Sequence, residues 1–300
     1  MRTGAVVVTQ SEKKTPDGET VRTFLDAGKN PPDGIIVTYH LNEQPEGEVN
    51  LTFQDAKGQG IRSFSSSAEE AEQRVPSKAG MNRFVWNMRY PEPRRIAGDS
   101  ATERGLLGPL APPGTYQVTL EVGGQTYTES FELQRDPRVA VPQEEIEAQF
   151  ALLMQVRDKL SEAHDAVLQI RGVRKQVEEW LERTQSGEAV QGPAEELKGK
   201  LAAIEKELIF TGKLPSTPFA NWLFPAPAPL NAKLLALANS LAGSAAAAPT
   251  KQTSELYGEL SSQVNQQLVR LKDVIDNDVS AFNNLIWELE LPGVAPKSSP

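Results

Sequence analysis

The sequence predicts an α+β protein whose two kinds of element are segregated along the chain. An N-terminal immunoglobulin- or fibronectin-like antiparallel β-sandwich comes first, and an antiparallel helical bundle with two long helices follows. Three observations lead there. From Ala5 to about Leu133, apolar residues alternate with polar ones in runs broken by Gly, Pro and Asp turns, the spacing of half-buried strands. Beyond Pro142 the spacing changes to three and four, that of an amphipathic helix. A length of 300 residues, against about 150 per domain, fits two domains. They are placed at 1–137 (β-sandwich) and 138–292 (helical bundle), with 293–300 as a disordered tail.

In the β half, Val6-Val7-Val8 and Thr20 to Leu25 flank the turn-forming Pro16-Asp17-Gly18, and Gly34 to Leu41 is rich in β-branched and aromatic residues. Val49, Leu51 and Phe53 alternate with Asn50, Thr52 and Gln54, so this strand buries one face. Gly58-Gln59-Gly60 turns the chain into Ile61 to Ser65. Met81 to Tyr90 reads as the next strand, with Phe84, Trp86 and Met88 on one side. Tyr116, Val118, Leu120 and Val122 then alternate up to Gly123-Gly124, and the chain returns through Tyr127, Phe131 and Leu133. Paired glycines between such runs predict a tight hairpin, because both central residues of a primed turn need positive φ. Roughly seven short strands over about 130 residues is the strand density of a sandwich.

Ile146, Phe150, Leu153, Val156, Leu160, Ala163, Val167, Ile170, Val173, Val177 and Trp180 fall on one stripe of a helix, which makes it about 40 residues long. Pro142 and Glu144, Glu145 and Glu147 mark its start, and Gly187 and Gly192 its end. A second helix is predicted from Pro193 to Ile209 and a third from Leu230 to Leu241. Between these two, Pro215, Pro218, Pro225, Pro227 and Pro229 forbid helix and predict an extended crossing anchored by Phe219, Trp222, Leu223 and Phe224. The fourth opens after Pro249-Thr250, carries Leu256, Leu260, Val264, Leu268, Leu271, Ile275, Val279, Phe282 and Ile286, and stops before Pro292-Gly293.

Composition narrows the chemistry. The chain has 31 Lys+Arg against 40 Asp+Glu, a net charge of −9, which repels phosphate backbones and anionic membranes, so no nucleic-acid partner and no membrane insertion are expected. The absence of cysteine removes thiol nucleophiles and cysteine-ligated metal sites, and two histidines, His40 and His164, on segments of different character do not make a metal site. No cofactor, metal or catalytic residue is assigned. His164 and Asp165 are adjacent on a helix and point about 100° apart, so they do not form an oriented base and carboxylate; His164 reads as a partly buried helix residue and His40 as a rim residue. Carboxylate pairs that could serve a glycosidase occur at Glu178-Glu179, Glu195-Glu196 and Asp276 with Asp278, but they sit among lysines and arginines and read as solvated charge. The loop Pro91 to Pro113, long and rich in Pro, Gly and arginine, is the candidate contact surface. Its residues of interest are Tyr90 at its mouth, Arg94, Arg95 and Arg104.

Several strings go beyond generic patterning: FLDAGKNPPDG (Phe24 to Gly34), AGMNRFVWNMRYPEP (Ala79 to Pro93), GPLAPPGTYQVTL (Gly108 to Leu120), VRDKLSEAHDAV (Val156 to Val167), RKQVEEW (Arg174 to Trp180) and AAPTKQTSELYGEL (Ala247 to Leu260). Together they resemble the C-terminal region of large bacterial proteins with BNR or sortilin-like β-propeller repeats, commonly labelled glycosyl hydrolases. The resemblance covers nearly the whole chain and implies a sandwich and helical tail that normally follow a propeller. It also implies export. The Asp-box pattern of the propeller blades is not fulfilled here, since Thr15-Pro16-Asp17-Gly18 places its glycine one residue early, so no catalytic residue transfers. The function expected is therefore a non-catalytic accessory or interaction region, its partner a β-propeller domain in cis or trans. The alternatives are a glycosidase whose acid pair forms only in the tertiary structure, where the loop meets the bundle, and a carbohydrate-binding module using the sandwich edge around Tyr90. A homodimer through the two apolar stripes of the bundle stays open.

Overall fold

The structure is a computed structural model that describes residues 10–14, 20–24, 32–71, 73–97, 99, 107–137, 140–184, 188–210, 228–243 and 247–288. Among them every strand precedes every helix, so the segregation of β and α elements holds. Strands β1 (Gln10–Lys14) and β2 (Thr20–Phe24) form an antiparallel hairpin by themselves. The expected Val6-Val7-Val8 run and the Pro16-Asp17-Gly18 turn lie outside the described residues.

Two further antiparallel sheets make the β core. In one, β3 (Ile35–Leu41) pairs with β6 (Gly80–Trp86); in the other, β4 (Val49–Asp55), β5 (Gly60–Ser65), β7 (Gly114–Val122) and β8 (Gln125–Leu133) lie in the order β5-β4-β7-β8. The alternation in β4 does what the sequence implies: Val49, Leu51 and Phe53 are fully buried, while Asn50, Thr52 and Gln54 are only partly covered. The two sheets meet where Phe53 stacks on Trp86 at 4.5 Å and where Phe64 lies 4.8 Å from Phe84. Burial of each such ring contributes roughly 1.5–3 kcal/mol. Gly123 and Gly124, with φ of 57° and 75°, turn β7 into β8 as the paired glycines predict.

The strand predicted from Met81 to Tyr90 ends at Trp86, because Met88 takes a left-handed φ of 58° and turns the chain out of the sheet. Beyond the turn, Tyr90 N donates to the Pro109 carbonyl and Ala111 N to the Met88 carbonyl, which zips the two ends of the long loop together. Gly108 is required at this zipper, since a Cβ there would lie 1.8 Å from the Tyr90 carbonyl oxygen.

Helix α1 (Gln143–Thr184) starts as expected behind Pro142, with Glu144 and Glu145 in its first turn. Helix α2 (Glu188–Leu208) begins before the predicted Pro193 and runs through Gly192. The reason is that Val190 belongs to the buried stripe continued by Ala194, Leu197, Leu201, Ile204 and Leu208, so core burial recruits the turn ahead of the proline. Helix α3 (Leu230–Gly243) follows, and the predicted crossing with Phe219, Trp222, Leu223 and Phe224 lies outside the described residues. Helix α4 (Lys251–Asp273) is capped by Thr250, whose side chain accepts from Thr253 N. It continues without a break through a π-helical turn (Val274–Val279) into α5 (Ser280–Glu288).

Helix directions follow from paired residues. Arg171 meets Glu205 and Glu178 meets Lys198, so α1 and α2 are antiparallel. Gln149 reaches the Leu241 carbonyl and His164 faces Asn231, so α1 and α3 are antiparallel too. Glu145 holds Ala248 N, the Gln155 carbonyl accepts from Tyr257, and Trp180 packs on Phe282. That offset is nearly constant, which makes the two long helical segments parallel. The uniformly antiparallel arrangement expected from the sequence is corrected here, because direction depends on where the connections cross and not on the stripes themselves.

Candidate functional site

The loop from Pro91 is where the two halves meet, and its first residues lie across α1 as a strap. Arg94 N donates to Ser161 Oγ at 3.1 Å, the Arg94 carbonyl accepts from His164 Nδ1, and the Arg94 guanidinium pairs with Asp165 at 2.9 Å. Ser161, His164 and Asp165 are spaced three and four apart, so one helix face holds three groups of one residue. Ile96, 4% exposed, sits among the apolar residues of the helical half. The Ala97 carbonyl then accepts from Arg171, whose Nε also holds the buried Glu205 at 2.7 Å.

The strap decides what the expected contact residues can do. Tyr90 is half-buried with its ring 4.8 Å from Phe150, and burial, reinforced by Asp55, pushes its phenol above the usual range. It is not an open platform for a sugar ring. Arg94 is committed to α1. Arg95 stays outward, with Nε and Nη2 on Glu92 Oε2 at 3.1 and 2.7 Å. Arg104 lies outside the described residues.

His164 is fully buried, deeper than the partly buried position expected. A carbonyl can only accept, so the Arg94 contact puts the proton on Nδ1 and leaves Nε2 as an acceptor, 3.5 Å from Asn231 Nδ2. The same amide donates to Asp99 at 2.8 Å, and Asn231 and Asp99 are as buried as the histidine. Burial is the main cause that holds the imidazole pKa below its usual value. Both ring nitrogens are thus turned to the strap and to α3, in a bracket that ties three elements together. Asp99 and Asn231 carried no signal in the sequence, since each is an isolated polar residue far along the chain from His164.

Where the strap leaves α1, a cleft of about 450 Å³ opens between the halves. Phe150 and Leu153 of α1, Leu235 and Ala238 of α3 and Leu133 of β8 line it. Leu107 and Leu110, at its lip, are 64% and 49% exposed. The volume lies in the range of ligand and peptide sites, which concentrate at junctions of this kind.

The carboxylate pairs weighed for glycosidase chemistry do sit in surface ion pairs. Glu178 and Glu195 share Lys198, Glu179 meets Lys175, Glu196 and Asp278 share Lys200, and Asp276 meets Lys272. His40 is exposed at the end of β3. Among the described residues no three His, Asp or Glu side chains gather as metal ligands, and no helix is long and apolar enough to cross a membrane. No protein-family model and no curated protein matches the chain.

Proposed function

We propose that this chain is a non-catalytic interaction module, a fibronectin- or immunoglobulin-like sandwich fastened to a helical bundle, which docks on a β-propeller domain supplied in cis or in trans. The sandwich reading is supported by topology. The order β5-β4-β7-β8 facing β3-β6 corresponds to the C′–C–F–G and B–E strands of the immunoglobulin plan. Tyr116, at the start of β7, bonds the Pro112 carbonyl at 2.7 Å, the tyrosine corner of that plan. The bundle reading is supported by one continuous apolar core shared by α1 to α5.

The docking reading rests above all on the junction cleft, a preformed apolar groove with Leu107 and Leu110 presented at its edge. The partner comes from the resemblance to propeller proteins, and export belongs to the same reading. The test is co-elution of the chain with a purified propeller domain of that family at about 10 μM, the concentration of a moderate interface. Leu107→Asp together with Leu110→Asp is expected to weaken the complex about tenfold or more while leaving the thermal midpoint unchanged. Separate elution, or binding unaffected by the two aspartates, would sink the idea.

A further inference from the structure

A second cleft, on the β half, calls for a different ligand. Among the described residues strand β6 pairs with β3 alone and strand β5 with β4 alone, and residues of both edge strands line one cleft. Glu70, Ala71, Gln73, Arg74 and Pro76, anchored by Val75 N on the Ser65 carbonyl, line the other side of this cleft, whose volume is about 910 Å³. Among the described residues, Arg62, Arg74, Arg83 and Arg95 line it against two acidic residues, Glu70 and Glu92, in a chain whose net charge is −9.

These groups are not equivalent. Arg74 is tied to the Ala68 and Glu69 carbonyls and Arg95 to Glu92, so both serve the walls. Arg62 lies over the Phe64 ring at 5.2 Å, which orients its guanidinium without neutralising it. Neither Arg62 nor Arg83 has an ion-pair partner among the described residues. Two arginines without a carboxylate partner in one concavity, one of them oriented by an aromatic ring, favour a ligand with carboxylate or phosphate groups. The remaining polar groups narrow the class. Glu70 accepts from Gln73 Nε2 and Glu92 Oε2 from Arg95, and the second oxygen of each carboxylate, which would repel a bare polyanion, can accept from hydroxyls. Asn87 Oδ1 accepts from Arg89 N, which leaves its amide NH2 to donate, and the Gln73 amide keeps its oxygen to accept.

We infer that this cleft binds an acidic sugar, an oligosaccharide whose uronate carboxylates meet Arg62 and Arg83 and whose hydroxyls meet Glu70, Glu92 and the two amides. The site lies apart from the junction cleft, so its failure leaves the docking reading untouched. The experiment is calorimetric titration of the full chain with trigalacturonate, with a neutral trisaccharide and with inorganic pyrophosphate. Trigalacturonate is expected to bind, more weakly as salt is raised, and the other two at least about tenfold more weakly. Arg83→Ala, on an exposed strand position, is expected to weaken trigalacturonate binding about ten- to hundredfold with an unchanged thermal midpoint. Arg62→Ala checks the second cation. Pyrophosphate binding as well as the sugar acid would reduce the cleft to a general oxyanion site and overturn the assignment. So would the absence of heat up to about millimolar trigalacturonate, or binding that neither arginine variant weakens.

Discussion

A neutral histidine with no exposed surface makes the protein's stability depend on pH in a definite direction. His164 has its pKa lowered by burial, so the folded chain binds fewer protons than the unfolded one once the unfolded imidazole begins to titrate. Its contribution is complete above the usual value near 6.5 and is lost as pH falls from there towards the depressed folded value. The slope is at most about 1.4 kcal/mol per pH unit. His164→Gln removes this term along with its hydrogen bonds, so the variant is expected to be less stable at neutral pH by about 1–3 kcal/mol. The gap to the wild type should narrow as pH falls from about 7 to about 5. Urea unfolding of both proteins across that range measures it, and a constant gap would mean that the histidine is not held neutral. The sequence showed a histidine on the wrong helical spacing for a base and a carboxylate, and in the structure Asp165 pairs with the Arg94 guanidinium while the ring bonds the Arg94 carbonyl. It did not show Arg94, Asn231 or Asp99 around the ring, because those contacts join residues with no local relation.

At the scale of the element, the π-helical turn in the last helical segment illustrates how packing edits periodicity. The stripe predicted there steps through Ile275, but in the structure Val274 is buried and Ile275 only partly so, and the next buried position is Val279. One extra residue in the turn keeps Phe282 and Ile286 on the core face set by Leu260, Val264 and Leu271. Deleting the exposed Asn277 is therefore expected to convert the π turn to α-helix with both flanks in register, at a cost of about 1 kcal/mol or less. Deleting the exposed Gln263, within regular α-helix, rotates the downstream turns by about 100° and is expected to cost several times as much. Chemical denaturation of the two variants tests this, and equal losses would remove the inserted-residue account. Elements with a strict local code, such as the Gly123-Gly124 hairpin and the α1 stripe, were legible in the sequence. The early start of α2 was not, because only the core contact of Val190 outweighs the proline after it.

For the whole molecule, the strap, with Tyr90 against Phe150 and Gln143 on the Pro113 carbonyl beside it, couples a β core and a helical core that have separate sets of buried residues. Ile96 is carried on the β half's loop yet packs among the helices, with the Arg94 and Arg171 contacts on either side of it. Ile96→Ala is expected to cost about 2–5 kcal/mol of coupling. It should split a single calorimetric transition into two, one for each half. A single transition retained in the variant, with little loss, would show that the halves are joined elsewhere.

Composition and spacing by themselves determined that strands come before helices, where the clearest hairpin lies, which helix faces are apolar, and that the weighed carboxylates are solvated. These are properties a residue shares with neighbours a few positions away, so they are written locally. The tertiary structure alone decided that the first residues of the long loop, up to Ala97, are a strap holding the halves together, that the two long helical segments run parallel, and that Arg62 and Arg83 line one cleft with Glu70 and Glu92. Each depends on where distant segments of the chain cross, and burial and hydrogen bonding select that crossing without leaving a periodic trace in the sequence.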